Sequence, residues 1–257
     1  MIAPKKHLGQ HFLTDIGTAE RIARAILKVA DGADLVEVGP GKGVLTQFLL
    51  GRENHRTIAV ELDKECIPYL QKHFTQPDLT VREADFLRLD LHTLTDAPIV
   101  ICGNFPYNIS TQIVFKAIEN RDKVTALCGM FQKEVAERLC ALHGSKVYGI
   151  TSVIAQAFFD TEYLFTVNEN VFNPPPKVKS GVMHMIRKTD FELGCDEKEF
   201  IKVVKAAFNQ RRKTLRNALK AIPNVDLSRV PEDILNKRAE QLPWPEFVNI
   251  TRQIATL

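Results

Sequence analysis

Cysteine is scarce in this sequence, and its spacing argues against two common roles. Only five cysteines occur in 257 residues, and no two of them form a C-x-x-C pair. An odd number of unpaired cysteines argues against a disulfide framework and against a zinc site, so we expect buried thiols in a reducing compartment. The seven histidines show no metal-ligand spacing either. The sequence therefore predicts no bound metal.

Long apolar runs are also missing. The sequence has no apolar stretch long enough to span a bilayer and no apolar core of a secretory signal peptide. These absences predict a soluble, cytoplasmic protein without a membrane partner. Charge is nearly balanced as well, because 34 Lys and Arg against 31 Asp and Glu leave a formal net charge of +3. Affinity for a nucleic acid would therefore have to come from local clusters of basic residues.

What the sequence does contain is a regular alternation of strand and helix patterns. This alternation predicts an α/β fold with a doubly wound, mostly parallel sheet, to which the last two strands add an antiparallel hairpin. The predicted strands are 35–38, 57–63, 80–84, 98–103, 124–131, 161–167 and 180–186, and the predicted helices are 15–30, 44–49, 111–119, 133–142 and 150–158.

A change of pattern near residues 187–190 predicts a domain boundary. Beyond this charged stretch the patterns are helical and are interrupted by four prolines. A chain of this length, with 45% hydrophobic residues, can support one large domain and one small one. We predict a large α/β domain over 1–188 and a small all-helical domain over 189–257.

A glycine-rich turn follows the first strand of the predicted sheet. Gly39, Gly41 and Gly43 allow the backbone to approach a bound nucleoside closely. Their spacing is G-x-G-x-G and not the G-x-G-x-x-G of a dinucleotide site. A phosphate-binding P-loop is also unsupported, because Gly41-Lys42-Gly43 lacks the Ser or Thr that would lie beside Mg²⁺.

Acidic residues end the next two strands. Glu61 is placed to accept hydrogen bonds from both hydroxyls of a ribose. At the end of the third strand, Asp85 can accept from an adenine amino group, and Phe86 can pack on the ring. Each acid alone is an ordinary strand-end charge, but together they favour an adenosine cofactor without phosphates. S-adenosylmethionine fits best, and Gly39 and Gly41 are its expected glycines.

The tetrapeptide Asn104-Phe105-Pro106-Tyr107 follows the fourth predicted strand. The amino group of a base is a poor nucleophile, because its lone pair is delocalised into the ring. The side-chain oxygen of Asn104 and the carbonyl of Phe105 could accept its two N–H bonds, while Tyr107 offers a face for stacking. The alternative is an ordinary turn, since Asn and Pro are common turn residues.

Basic residues are concentrated near the C-terminus. Seven Lys and Arg and no acid occur in residues 202–220. If 213–222 is helical, Lys213, Arg216 and Lys220 share one face, which suits contacts with phosphates. The alternative is a solvated basic surface. The predicted RNA-binding residues are Lys5, Lys6, Arg211, Arg212, Lys213, Arg216 and Lys220.

These motifs together resemble the ribosomal RNA adenine dimethyltransferases, and the block at 207–217 resembles their small-subunit (16S) branch most. The resemblance covers nearly the whole chain, in the order of the family. The matching blocks are 5–13, 36–43, 60–63, 85–86, 103–110, 132–134, 148–149, 172–178 and 207–217.

The resemblance implies a Rossmann-like methyltransferase sheet and residue roles that the pattern alone does not give. His11 and Leu13 are implied to contact the cofactor, and Phe172 is implied to lie across the target base from Tyr107. Asn104 and Pro106 belong to the implied catalytic motif, and Asn104 also to the implied cofactor site.

The implied reaction is direct transfer of methyl groups to N6 of two adjacent adenosines near the 3′ end of small-subunit rRNA. The substrate is expected inside an immature 30S-type subunit, and the enzyme is expected to be a monomer. Two alternatives stay open: a large-subunit rRNA methylase conferring macrolide resistance, and a non-catalytic RNA-binding assembly or transcription factor on the same fold.

Overall fold

The computed structural model describes residues 2–5, 8–189 and 191–254. Contacts divide the chain into two compact units: Met1–Ala136 with Glu162–Arg187, and Glu137–Thr161 with Lys188–Leu257. Within the described ranges, no helix combines the length and the apolar composition that crossing a membrane requires.

The first unit is built on a seven-stranded sheet, and a short two-stranded pair lies apart from it. The strands are β1 (Phe12–Leu13), β2 (Asp34–Val38), β3 (Thr57–Glu61), β4 (Leu79–Glu83), β5 (Ile99–Asn104), β6 (Val124–Gln132), β7 (Phe159–Val167), β8 (Phe172–Asn173) and β9 (Ser180–Arg187). The order in the large sheet is β4-β3-β2-β5-β6-β9-β7, and β1 pairs with β8.

The pairing directions confirm a mostly parallel sheet. Each neighbouring pair from β4 to β6 is parallel, and β9 runs antiparallel to β6. All residues of β2 and β3 are buried, as expected of strands that are covered on both faces. The carboxyl ends of β2, β3, β4 and β5 therefore lie side by side at one edge, where open α/β sheets bind ligands.

Nine α-helices connect and follow these strands in the described residues. They are α1 (Ile16–Ala30), α2 (Cys66–His73), α3 (Ser110–Glu119), α4 (Lys133–Cys140), α5 (Ile150–Phe158), α6 (Glu197–Asn209), α7 (Leu215–Leu219), α8 (Glu232–Leu235) and α9 (Trp244–Gln253).

Helix α1 shows how the sequence determines where a helix begins and which of its faces is buried. Asp15 is its N-cap, and its side chain accepts a hydrogen bond of 2.6 Å from the backbone N–H of Thr18. Ile22 and Ile26 recur on one face and are fully buried, in the same core as Val100 of β5. The helix therefore covers one face of the sheet and leaves its polar face to solvent.

The predicted strands are confirmed within a few residues, but one predicted helix of the first unit is wrong. Within 44–49 only Thr46–Phe48 forms a single 3-10 turn. Gly43 and Gly51 have φ of +77° and +75°, so both ends of this short segment leave the helical conformation. The two late strands are neighbours at the sheet edge, where β9 lies between β6 and β7.

The second unit consists of helices around an aromatic core. Phe200 and Phe247 are fully buried, and the ring of Phe208 lies 5.8 Å from that of Phe247. The helix considered over 213–222 is shorter in the structure, because Thr214 has extended backbone and α7 covers only Leu215–Leu219.

In this second unit, contacts group Glu137–Thr161 with the C-terminal helices. The division into a catalytic domain over 1–188 and an RNA-binding domain over 189–257 is a statement about function and stays a prediction.

Candidate active site

A cavity of about 290 Å³ lies at the carboxyl edge of the first unit's sheet. Its walls come from the turns that follow β2, β3, β4 and β5 and from the N-terminal segment around β1. The lining residues are 8–13, 37–42, 44, 45, 60–62, 84–87 and 104–109. The glycine turn, the strand-end acids and the Asn-Phe-Pro-Tyr motif therefore surround one space.

The glycine turn needs its glycines for conformation and for space. Gly39 and Gly41 have φ of +67° and +58°, a region that residues with a side chain rarely adopt. A Cβ on Gly41 would lie 2.9 Å from a ring carbon of Phe12. The turn can approach the N-terminal wall this closely only because Gly41 has no side chain.

Glu61 is held in place by three backbone groups. Its Oε2 accepts a hydrogen bond of 2.9 Å from the N–H of Gly41, and its Oε1 accepts from the N–H groups of Leu62 and Asp63 at 2.9 and 2.8 Å. Burial raises the pKa of this carboxyl, although the backbone hydrogen bonds oppose the rise. Glu61 lines the cavity with a fixed orientation, as an acceptor for ribose hydroxyls needs.

A second buried acid, Glu37, also lines the cavity, although it was not among the site residues predicted from the sequence. It is 1% exposed, and its Oε2 accepts a hydrogen bond of 2.7 Å from the hydroxyl of Thr46. Burial raises its pKa to about 7. Glu37 lies between two valines near the end of the strand, and this was the signal in the sequence.

Asp85 and Phe86 lie together on the wall that follows β4. Asp85 Oδ1 accepts a hydrogen bond of 3.0 Å from the N–H of Leu87, and its Oδ2 lies 3.5 Å from Nε of Arg88. Phe86 is 4% exposed. A polar acceptor beside a buried aromatic ring suits a purine with an amino group.

The amide nitrogen of Asn104 is hydrogen-bonded within the protein. Its Nδ2 donates a hydrogen bond of 3.1 Å to the backbone carbonyl of His11. Among the residues that the structure describes, none donates a hydrogen bond to its Oδ1. In this orientation the amide presents an oxygen acceptor at the cavity.

Tyr107 is fixed at both ends of its side chain. Its hydroxyl lies 2.5 Å from Oγ of Ser180, and the His11 ring stacks on its ring at 5.6 Å between centroids. His11 is held in turn by a hydrogen bond of 2.8 Å from Nδ1 to the carbonyl of Pro174. Burial raises the pKa of Tyr107, so its hydroxyl stays protonated. Ser180, which begins β9, was not predicted from the sequence.

Two residues implied by resemblance alone lie against each other. Leu13 of β1 pairs with Phe172 of β8, and both are buried in the main apolar core. Leu13 lines the cavity, whereas Phe172 is 4% exposed and is not part of the wall. The structure does not bring Phe172 to the ring of Tyr107, and its role at the target base stays a prediction.

The predicted RNA-binding residues fall into two groups. Three already contact the protein: Lys5 lies 2.5 Å from Asp63 and 3.0 Å from Glu65, Arg211 donates to the carbonyls of Lys146 and Tyr148, and Arg216 pairs with Glu232. The basic segment is therefore partly compensated by acids outside 202–220.

The other group is available to a partner. Arg212, Lys213 and Lys220 are exposed, and their side chains make no ion pair within the described part of the chain. Lys6 lies outside the described residues.

Comparison with known proteins agrees with this site. The family model for ribosomal RNA adenine dimethylase matches residues 2–255. The ribosomal RNA small subunit methyltransferase A of Cytophaga hutchinsonii is 52% identical over 99% of this chain and 98% of the relative. The protein of the same name from Bacteroides thetaiotaomicron is 51% identical over 99% of this chain and 95% of that relative.

Solved structures show the same fold. A dimethyladenosine transferase from Plasmodium falciparum is 26% identical, with a TM-score of 0.77 over 93% of this chain and 96% of that chain. A 23S rRNA methyltransferase, ErmE, is 21% identical, with a TM-score of 0.75 over 95% of this chain and 100% of that chain. The latter supports the fold alone.

Proposed function

Because this chain belongs to the ribosomal RNA adenine dimethylase family, we propose that it dimethylates N6 of two adjacent adenosines near the 3′ end of small-subunit rRNA. S-adenosylmethionine is the cofactor, and N6,N6-dimethyladenosine is the product. Relatives of about 50% identity, named small-subunit methyltransferases, support this substrate. The main structural support for this chemistry is the orientation of the Asn104 amide. Its nitrogen donates a hydrogen bond to the backbone carbonyl of His11, so its oxygen is free to accept one from an amino group.

The cavity residues fit S-adenosylmethionine. The glycine turn and two fixed strand-end acids suit an adenosine, and the turn lacks the spacing of a pyrophosphate site. Glu61 would hold the ribose, Asp85 and Phe86 the adenine, and Leu13 and His11 the methionine portion. When bound, the cofactor supplies a methyl group already activated by a sulfonium.

The protein's own residues orient the target base. Asn104 Oδ1 and the backbone carbonyl of Phe105 accept the two N–H bonds of the amino group. Tyr107, fixed by Ser180 and His11, stacks on the base. These contacts align the amino nitrogen for attack, and such alignment lowers the barrier. The nitrogen becomes far more acidic as its new bond to carbon forms, so one of its protons can leave to water without a strong general base. The base must leave its stack to reach the cavity.

Dimethylation requires that the same residues accept a methylated amino group. After the first transfer only one N–H bond remains, so one acceptor suffices to orient the nitrogen. Pro106 adds no N–H donor that would compete for the Asn104 oxygen.

We further propose that the substrate is rRNA inside an immature 30S-type subunit and that the protein acts as a cytoplasmic monomer. The exposed Arg212, Lys213 and Lys220 support an RNA surface.

The test is methyl transfer from labelled S-adenosylmethionine to small subunits that lack adenine methylation, with large subunits and naked rRNA alongside. We expect label as N6,N6-dimethyladenosine in the small subunit only. Label in large-subunit RNA would favour the resistance methylases instead. Bound cofactor without any transfer would favour a non-catalytic factor.

A further inference from the structure

The N-terminal wall of the cavity is attached to the rest of the first unit at both ends and in its middle, where His11 also contacts Pro174 and Tyr107. At one end Leu13 pairs with Phe172, and in the middle the carbonyl of His11 accepts the hydrogen bond from Asn104. At the other end the attachment is a buried carboxylate, that of Asp63. Asp63 does not line the cavity, so its role is separate from direct cofactor contact.

Asp63 uses both of its carboxylate oxygens on this wall. Oδ1 lies 2.5 Å from Nζ of Lys5, and Oδ2 accepts a hydrogen bond of 3.0 Å from Nε2 of Gln10. Gln10 also accepts, through Oε1, a hydrogen bond of 2.8 Å from the backbone N–H of Lys5. These three residues form a closed ring of polar contacts, which we name the Asp63 clamp. The side chain of Asp63 has no exposed surface, so water does not compete for its oxygens.

The charges in the clamp are maintained by the contacts themselves. Burial raises the pKa of Asp63, but the hydrogen bonds from Lys5 and Gln10 outweigh burial and leave the pKa below its usual value. The hydrogen bond to Asp63 raises the pKa of Lys5. Both groups are therefore ionised at neutral pH, and their contact is a charge-assisted hydrogen bond.

The clamp also reaches the residue that would hold the ribose. The backbone N–H of Asp63 donates to Oε1 of Glu61 at 2.8 Å. Asp63 therefore helps to fix the orientation of Glu61 with its backbone and holds the N-terminal cavity wall with its side chain. Displacement of the wall would remove cofactor contacts from His11 and Leu13 together.

We propose that Asp63 is a positioning residue for methyl transfer, because its carboxylate holds residues 8–13 against the cavity and thereby sets the affinity for S-adenosylmethionine. The inference rests on the proposed function, since it assigns that cofactor to the cavity. It also gives Lys5 an intramolecular role in place of a contact with RNA.

The test compares Asp63→Asn, Lys5→Met and the double variant in the full chain without RNA. Calorimetry gives the Kd for S-adenosylmethionine, and thermal unfolding gives Tm. We expect each single variant to raise Kd about tenfold, the size of a lost hydrogen bond to a charged group. Both changes break the contact between Asp63 and Lys5, and Lys5→Met also removes the ion pair of Lys5 with Glu65. The double variant should therefore raise Kd by less than the product of the two single rises. In steady state, KM for the cofactor should rise while kcat is retained.

Asp34→Asn is the matched control. Asp34 is also a buried aspartate with both oxygens occupied, by the N–H of Arg56 at 2.8 Å and the hydroxyl of Thr95 at 2.6 Å. It lies at the amino end of β2, opposite the cavity edge, so Asp34→Asn should lower Tm without changing Kd.

Three results would overturn the inference. One is an unchanged Kd in Asp63→Asn, and another is an equal rise of Kd in Asp34→Asn, which would indicate general loss of stability. The third is a rise of Kd in the double variant equal to the product of the two single rises. Failure of the unsubstituted protein to bind S-adenosylmethionine would instead contradict the proposed function and, with it, the clamp.

Discussion

At the residue scale, the candidate site depends on polar side chains that the backbone holds in one orientation. Glu61 accepts three backbone N–H groups, and Asn104 donates to one backbone carbonyl. Such contacts fix acceptors before any ligand binds, which reduces the ordering that binding has to impose. The consequence is that substitutions here should change function more than they change stability.

Glu37 should make the stability of the protein depend on pH. Burial raises its pKa from 4.5 to about 7, so the folded protein holds this proton more tightly than the unfolded chain. The free energy of unfolding should therefore fall as pH rises from about 4.5 to about 7, by about 3 kcal/mol at roughly 1.4 kcal/mol per pKa unit. We expect Glu37→Gln to remove most of this fall, measured by urea unfolding across that range.

The control for Glu37→Gln is Glu20→Gln, which breaks the exposed ion pair of Glu20 with Arg24. That variant should keep the pH dependence of the unsubstituted protein. An undiminished fall in Glu37→Gln would show that Glu37 does not titrate in this range.

Tyr107 should act through its ring more than through its hydroxyl. Tyr107→Ala removes the stacking face, which is worth about 1–3 kcal/mol per base, so KM for RNA should rise between about fivefold and 150-fold. Tyr107→Phe keeps the ring and loses only the contact with Ser180, so its effect should be several times smaller. Equal losses in the two variants, measured at saturating cofactor, would contradict the stacking role.

Much of this site is predictable at the residue scale, for a physical reason. Glu61 and Asn104 end strands and Asp85 follows a strand by two residues, and the ends of parallel strands converge at one edge. Asp63 and Ser180 are not predictable in this way, because their partners Lys5 and Tyr107 lie 58 and 73 residues away in the chain. Phe172 follows from family resemblance alone, and the structure places it in the core.

At the element scale, the glycine turn and the N-terminal wall depend on each other. The turn follows β2 with positive φ at Gly39, Gly41 and Gly43, and Phe12 of β1 packs against it. The strands that present this turn were predictable from their apolar runs. The 3-10 turn at Thr46–Phe48 was not, because apolar spacing does not distinguish one helical turn from several.

Gly41→Ala should weaken cofactor binding specifically. The new Cβ would lie 2.9 Å from the Phe12 ring, so the turn or the wall must move. Gly51→Ala is the matched control, since Gly51 also has positive φ, at +75°, but a Cβ there would meet no other atom within 4 Å. Both variants should lose about 1 kcal/mol or more of stability from backbone strain. Only Gly41→Ala should raise the Kd for S-adenosylmethionine, and an equal rise in Gly51→Ala would contradict a specific role for the turn.

At the scale of the whole molecule, the net charge is only +3, although the expected partner is a highly charged RNA. Several basic residues are compensated within the protein, as Arg216 is by Glu232 and Lys202 by Glu199. The charges that remain for phosphate contacts are those without such partners. Composition alone cannot separate the two groups, because the pairing acids lie outside the basic segment.

Substitution of the exposed basic residues should therefore reduce the salt dependence of RNA binding. We expect Arg212→Ala and Lys213→Ala each to lower the slope of log K against log salt by about one. Arg211→Ala should chiefly lower Tm, because Arg211 donates to the carbonyls of Lys146 and Tyr148. If Arg211→Ala lowered the slope of log K against log salt by about one and left Tm unchanged, Arg211 would contact RNA and would not have the structural role assigned to it.

The most direct test of the proposed chemistry is the rate of dimethyladenosine formation by Asn104→Ala, measured with saturating S-adenosylmethionine and immature small subunits. We predict a loss of at least about 100-fold, the size typical for removing a positioned hydrogen-bonding group from an active site. The Kd for the cofactor should change much less. Near-normal turnover in Asn104→Ala would contradict the claim that this amide orients the adenine amino group.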